Sequence, residues 1–111
     1  MLAEDAPLPT EDSVRDALHD VIDPELGFNI VDLGLIYQVA TDEGIVDVRM
    51  TMTTPGCPAQ DYIVNGVEQR LGREDGITGV FVEVVWEPPW TPRMMSPAAK
   101  EHFRIPDGDD E

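Results

Sequence analysis

The chain has 111 residues, 41% of them apolar, and its 7 basic against 23 acidic side chains leave a formal charge of -16. That length buries one modest core and not two, so a single domain is expected. Eight acids (Glu4, Asp5, Glu11, Asp12, Asp107, Asp109, Asp110 and Glu111) lie in two terminal stretches without a base, and 15 acids against 7 bases remain between them. Such a field repels phosphate backbones and anionic lipid, which argues against nucleic acid or a charged membrane surface as a direct partner.

No apolar run approaches the roughly 20 residues that a membrane helix needs. The opening MLAEDAPLPTED is acidic rather than a basic leader, and one cysteine permits no internal disulfide, as suits a reducing compartment. A cytoplasmic protein is expected, with acidic tails at 1–9 and 106–111 around an ordered domain at 10–105.

In chain order, Val14, Ala17, Leu18, Val21 and Ile22 recur at helical spacing, which predicts an amphipathic helix over Ser13 to Asp23. Thr10 is its expected N-cap, Glu11 and Asp12 suit the positive end of the helix dipole, and Pro24 ends it. Leu33, Leu35, Tyr37 and Val39 then alternate with Gly34, Ile36 and Gln38. After the Thr41-Asp42-Glu43-Gly44 break, Val46, Val48, Met50 and Met52 alternate with Asp47, Arg49, Thr51 and Thr53. The two runs predict a hairpin whose second strand turns Asp47, Arg49 and Thr51 outward.

From Pro58 the period returns to 3.6, with Ala59, Tyr62, Ile63, Gly66, Val67 and Leu71 on one stripe and Gly72 as the stop. A third strand is expected over Val80 to Glu87, and Ser96-Pro97 starts a short last helix through about Phe103. The order α-β-β-α-β-α predicts a two-layer α/β (α+β) sandwich: a three-stranded mixed sheet with helices on one face and a right-handed strand-helix-strand crossover. Whether the third strand neighbours the second or the first is left open by the pattern.

The stretch TMTTPGCPAQD sets the only cysteine between two prolines, ahead of the second helical pattern. With Pro58 as the first helical residue, Cys57 falls at the N-cap, where unpaired backbone N–H groups and the helix dipole stabilise a thiolate. A cysteine so placed is a candidate nucleophile or soft-metal ligand; the plainer reading is a small buried hydrophobe. A permanent metal centre is not expected, because there is no C-x-x-C pair, the only histidines are His19 and His102, and a cluster takes four thiolates. Any iron or cluster would be held transiently, with ligands completed by a second molecule. Asp23 and Glu25, either side of Pro24, are candidate oxygen ligands, and turn hydrogen bonds are their plainer role.

Ser13 and Ser96 form no nucleophile elbow, and the sequence contains no phosphate-binding G-x-x-x-x-G-K-[ST] loop. The segment WEPPWTPRMMSPAAKEHF presents Trp86, Trp90, Met94 and Met95, adaptable apolar groups suited either to covering the open sheet face or to docking a partner. A homodimer satisfies both.

Three stretches together, DPELGFNIVDLGLIY (Asp23 to Tyr37), TMTTPGCP (Thr51 to Pro58) and WEPPWTPRMMSPAAK (Trp86 to Lys100), closely resemble the small iron-sulfur assembly domain family that includes the bacterial SufT proteins and the eukaryotic cytosolic cluster-targeting factors. The resemblance runs from about Ser13 to Phe103. Its WEPPWTP ending is similar to the stand-alone SufT-type branch rather than to the phenylacetate-degradation branch, whose members carry additional C-terminal cysteines. The resemblance implies a non-enzymatic accessory factor in iron-sulfur protein maturation that hands over clusters to client apo-proteins. It also implies that the family's cysteine is Cys57, preceded by Thr53 and Thr54, with its acidic turn at Asp23 and Glu25. A related domain is fused in some proteins to a P-loop ATPase cluster carrier, which implies such an ATPase as a partner in trans. The rival readings are a binding-only adaptor with a structural cysteine and a thiol-dependent enzyme.

Overall fold

Thr10 opens the first helix, α1 (Glu11–Leu18), in a capping box: its hydroxyl accepts from Ser13 N at 3.1 Å while Thr10 N donates to Ser13 Oγ at 2.9 Å. The computed structural model describes residues 8–53 and 58–105. The helix ends five residues earlier than the apolar spacing suggests. Val21 remains in the core, but Ile22 is 44% exposed and belongs with Asp23 to a two-residue strand, β1 (Ile22–Asp23), antiparallel to β2 (Phe28–Asn29). Pro24 does not set this stop, since it constrains Asp23 rather than Leu18 or His19; the chain leaves the helix earlier, where Val21 O accepts from Ile30 N at 3.0 Å and Ile22 pairs with Asn29.

The main sheet consists of β3 (Ile36–Asp42), β4 (Ile45–Met50) and β5 (Gly79–Val84), in the order β3-β4-β5. β3 and β4 are antiparallel, whereas β4 and β5 run parallel around the connecting helix α2 (Gln60–Gly72). The third strand therefore lies beside the second. The mixed α/β sandwich expected from the sequence is present, with the β1–β2 pair added to it.

Alternation governs β4: Val46, Val48 and Met50 are fully buried, and Asp47 and Arg49 point away from the core into solvent. On the exposed side Arg49 pairs with Glu83 of β5 at 3.2 Å, a surface contact worth at most about 1 kcal/mol. β3 departs from strict alternation at Tyr37, because Ile36 faces Met50 and Gln38 faces Arg49, leaving Tyr37 as the extra residue of a bulge. Helix α1 packs on β3 and on α2, and α2 on β5. α2 buries Ile63, Val67 and Leu71 but leaves Tyr62, expected on the same stripe, 63% exposed. Each fully buried aliphatic side chain of this layer contributes about 1.5–3 kcal/mol. Burial of the α2 stripe thus outweighs its weak start, which has no side-chain cap.

After β5, Val85 adds one more bond to Met50 O and the chain then bends at Glu87 and Pro88. The segment 86–96 then forms a strap, including a 3-10 turn (Pro92–Met94), that leads into α3 (Pro97–Phe103). Ser96 caps α3 by accepting from Ala99 N at 3.2 Å, as its sequence suggests. Phe103 and His102 of α3 pack on Phe28, with ring centroids 5.7 and 4.9 Å away.

Candidate functional site at the carboxyl end of the sheet

Because β4 and β5 are parallel, their carboxyl ends, Met50 and Val84, lie side by side, with Ile36 opposite Met50. Beyond the strands a ladder of backbone hydrogen bonds continues across this end. Ile30 N donates to Val21 O (3.0 Å), Leu35 N to Ile30 O (3.1 Å), Thr51 N to Leu35 O (2.8 Å) and Val85 N to Met50 O (2.7 Å). The ladder joins the acidic turn after β1 to the point where the β4–α2 connection departs. Connections at the carboxyl ends of parallel strands are where open α/β sheets place their ligands.

That connection carries Thr53, Thr54 and Cys57. Thr53 is a half-buried bend residue, and Thr54 and Cys57 lie outside the described residues. One expectation needs correction. The residue at the N-cap of α2 is Ala59, not Cys57, and its backbone is already helical (φ -81°, ψ -4°), with its carbonyl accepting from Ile63 N at 2.9 Å. Ala59 is buried in the core, and the turn through Pro58 comes before the first helical residue, which shifts the helix start toward the C-terminus.

The acidic turn is well defined. Asp23 is 1% exposed, and its Oδ1 accepts from Glu25 N at 2.8 Å and Leu26 N at 3.3 Å while its carbonyl accepts from Gly27 N at 2.7 Å. Asp23 therefore holds the turn together, and Glu25 stands on the outside of it. Among the described residues no group of three or more His, Cys, Asp or Glu side chains is gathered to hold a metal ion, and no helix is long and apolar enough to cross a membrane.

The strap does not cover the outer sheet face. It packs instead on the chain entering β3, where Trp90 Nε1 donates to Leu33 O at 2.7 Å, Tyr37 Oη donates to Pro88 O at 2.8 Å and Ser96 N donates to Asp32 O at 2.8 Å. Gly34, at φ +82°, lies directly against the Met94 carbonyl, leaving no room for a Cβ. Of the four residues expected to meet a partner, Trp86 and Met94 are 40% and 36% exposed and Trp90 is half-buried. Met95 is only 7% exposed: it is a core residue, withdrawn from any partner by its packing.

Thr51 is also corrected. It is 1% exposed rather than outward-facing, and its Oγ1 is the one buried side-chain polar atom among the described residues without a hydrogen-bond partner. It lies one residue past the end of β4, under the ladder, where the outward face of the strand no longer meets solvent. Burial pushes the Tyr37 phenol above its ordinary value of 10.0; the Thr51 hydroxyl, unpartnered beside the neutral phenol but able to donate to the phenolate, pulls the other way, and the Glu87 charge adds to the rise. The Asp32 carboxyl is held below its ordinary 3.8, first by the Asn29 amide, which donates at 2.8 Å; burial opposes this, and Ser96 and the His19 charge reinforce it. Tyr37, Gly34 and Asp32 lie in the DPELGFNIVDLGLIY stretch, but nothing in that stretch names the strap as their partner. A glycine inside the alternating run was the only sign that backbone would approach there.

The sequence family described as "Iron-sulfur cluster assembly protein" matches residues 11–84. The chain is 49% identical over 81 residues to the Fe-S protein maturation auxiliary factor SufT of Staphylococcus aureus (strain USA300), covering 72% of this chain and 92% of that protein. It is 43% identical over 91 residues to the Fe-S protein maturation auxiliary factor YitW of Bacillus subtilis (strain 168), covering 81% and 89%. The crystal structure of a domain of unknown function, DUF59, from Bacillus anthracis superposes with a TM-score of 0.82 at 41% identity, covering 86% of this chain and 92% of that one. The match takes in α1, the whole sheet and the β4–α2 connection, and on that ground the chain belongs to the iron-sulfur cluster assembly protein family.

Proposed function

We propose that this protein is an auxiliary factor in the maturation of iron-sulfur proteins, with iron or an iron-sulfur cluster as its transient cargo. The observation that carries this reading is the family match across residues 11–84, supported by the names of the similar maturation factors. The chemistry is placed in the β4–α2 connection. Cys57 supplies a thiolate to the cargo, with Thr53 and Thr54 as the cargo-binding residues that precede it. Glu25 offers a carboxylate oxygen from the turn that Asp23 holds. One protein thiolate leaves most ligand positions of a cluster unfilled. The remaining ligands come from the molecule that gives or receives the cargo, so binding is inherently a handover. The donor is a P-loop ATPase carrier or another assembly protein, the acceptors are client apo-proteins, and the exposed Trp86 and Met94 with the half-buried Trp90 form the docking surface, either for these partners or for a second copy.

Complementation of a strain lacking the protein tests the reading. Cys57→Ala is expected to fold with unchanged circular dichroism and to lose cluster-enzyme maturation, and full rescue by this variant would overturn the cysteine mechanism. A binding-only adaptor predicts rescue by Cys57→Ala, while failure of Trp86→Ala is expected under both readings. A thiol-dependent enzyme predicts turnover of a small substrate that disappears with Cys57.

A further inference from the structure

The methionines with described surroundings divide sharply. Met50, Met52 and Met95 are 0%, 2% and 7% exposed, whereas Met94 is 36% exposed at the turn of the strap. Its Sδ lies 3.5 Å from Tyr37 Oη, the same hydroxyl that donates to Pro88 O at 2.8 Å. A phenol has one proton to give, and a thioether is a weak acceptor, so the carbonyl holds it.

We propose that Met94 is a site of reversible oxidation by hydroperoxides, and that its sulfoxide takes the Tyr37 hydrogen bond from the Pro88 carbonyl and frees that end of the strap. In the step, a sulfur lone pair attacks one peroxide oxygen and the O–O bond breaks. The departing hydroxide of hydrogen peroxide, or the alkoxide of an organic hydroperoxide, takes the proton left on the transferred oxygen and leaves as water or the alcohol. The thioether is oxidised by two electrons to the sulfoxide, and the hydroperoxide is reduced. Oxidation converts an apolar group into a polar one whose oxygen is a strong acceptor, and it is reversed by methionine sulfoxide reductases.

The new oxygen is one bond from a sulfur already beside the Tyr37 hydroxyl. Met94 cannot make room by moving toward the sheet, because its backbone carbonyl rests on Gly34. Trp90 and Ser96 keep their own bonds to Leu33 and Asp32, so the release is local to residues 87–90. Peroxide would thereby alter the surface that Trp86 and Met94 present at the carboxyl end of the sheet.

The test uses the Cys57→Ser protein, so that the thiol does not compete, with limiting hydrogen peroxide, peptide mass mapping and amide exchange. Met94 is expected to oxidise at least about fivefold faster than Met50, Met52 or Met95. Exchange at Val85 and Met94, whose amides donate to Met50 O and Thr91 O on either side of the freed residues, should then rise up to about tenfold, the equivalent of one lost hydrogen bond, and return after treatment with the reductase. Met94→Leu is expected to show no exchange response to peroxide. Tyr37→Phe should exchange quickly before oxidation and gain nothing further. Equal oxidation of the buried methionines, unchanged exchange after Met94 is oxidised, or a Tyr37→Phe protein that responds like the parent would each overturn the proposal.

Discussion

Gly34→Ala separates two costs that usually come together. Gly34 sits at φ +82° and Gly27 at φ +71°, yet a Cβ at Gly27 meets nothing within 4 Å whereas at Gly34 it would run into the Met94 backbone. Gly27→Ala therefore reads the conformational penalty alone, about 1–2 kcal/mol for a left-handed alanine. Gly34→Ala adds the displacement of the strap from Leu33–Tyr37. Displacement loosens three hydrogen bonds, Trp90 to Leu33, Tyr37 to Pro88 and Ser96 to Asp32, each worth about 0.5–1.5 kcal/mol net. The expected loss at Gly34 is about 2.5–6.5 kcal/mol, which is about 1.5–4.5 kcal/mol above that at Gly27. Urea unfolding followed by far-ultraviolet circular dichroism measures both, and tryptophan fluorescence should report Trp90 leaving its site in Gly34→Ala at zero denaturant. Equal destabilisation by the two variants, with unchanged fluorescence, would refute the claim that the strap is seated by this contact.

Thr51→Val replaces a buried, unpartnered hydroxyl with a methyl of similar size. It is expected to leave stability unchanged or raise it by up to about 1–2 kcal/mol; a loss of that size in the same urea assay would show that the hydroxyl has a partner. Asp32 has a folded-state pKa below its unfolded value, so its contribution to stability is full above about pH 4 and is lost as pH falls through the lowered value. Asp32→Asn should flatten that part of the acid-unfolding curve and leave the neutral region sloping as before. Tyr37 is shifted the other way: its neutral form is favoured by folding, so stability is full below pH 10 and declines as pH rises through the raised value. In a Tyr62→Phe background, tyrosinate absorbance should show the remaining phenol ionising later in the folded than in the urea-unfolded protein.

Local physics made much of this architecture legible. The N-cap at Thr10, the alternation of Val46, Val48 and Met50, the stripe of Ile63, Val67 and Leu71, and the Ser96-Pro97 entry to α3 each depend on neighbours within a few residues, where period and capping chemistry act. The elements on either side of the cysteine-bearing connection, β4 and α2, were legible for the same reason. Tertiary structure alone decided the rest. Ile22 matched the helical stripe but lay past the helix end and paired with Asn29, and Tyr62 matched the second stripe but stayed in solvent. Thr51 followed the polar alternation of β4 yet was buried, since its surroundings come from the ladder through Leu35, Ile30 and Val21. The strap's position was equally undetermined by its own residues. The partners of Trp90, Met94 and Ser96 lie more than fifty positions earlier in the chain, and a pairing over that distance is fixed by the fold that brings the two stretches together.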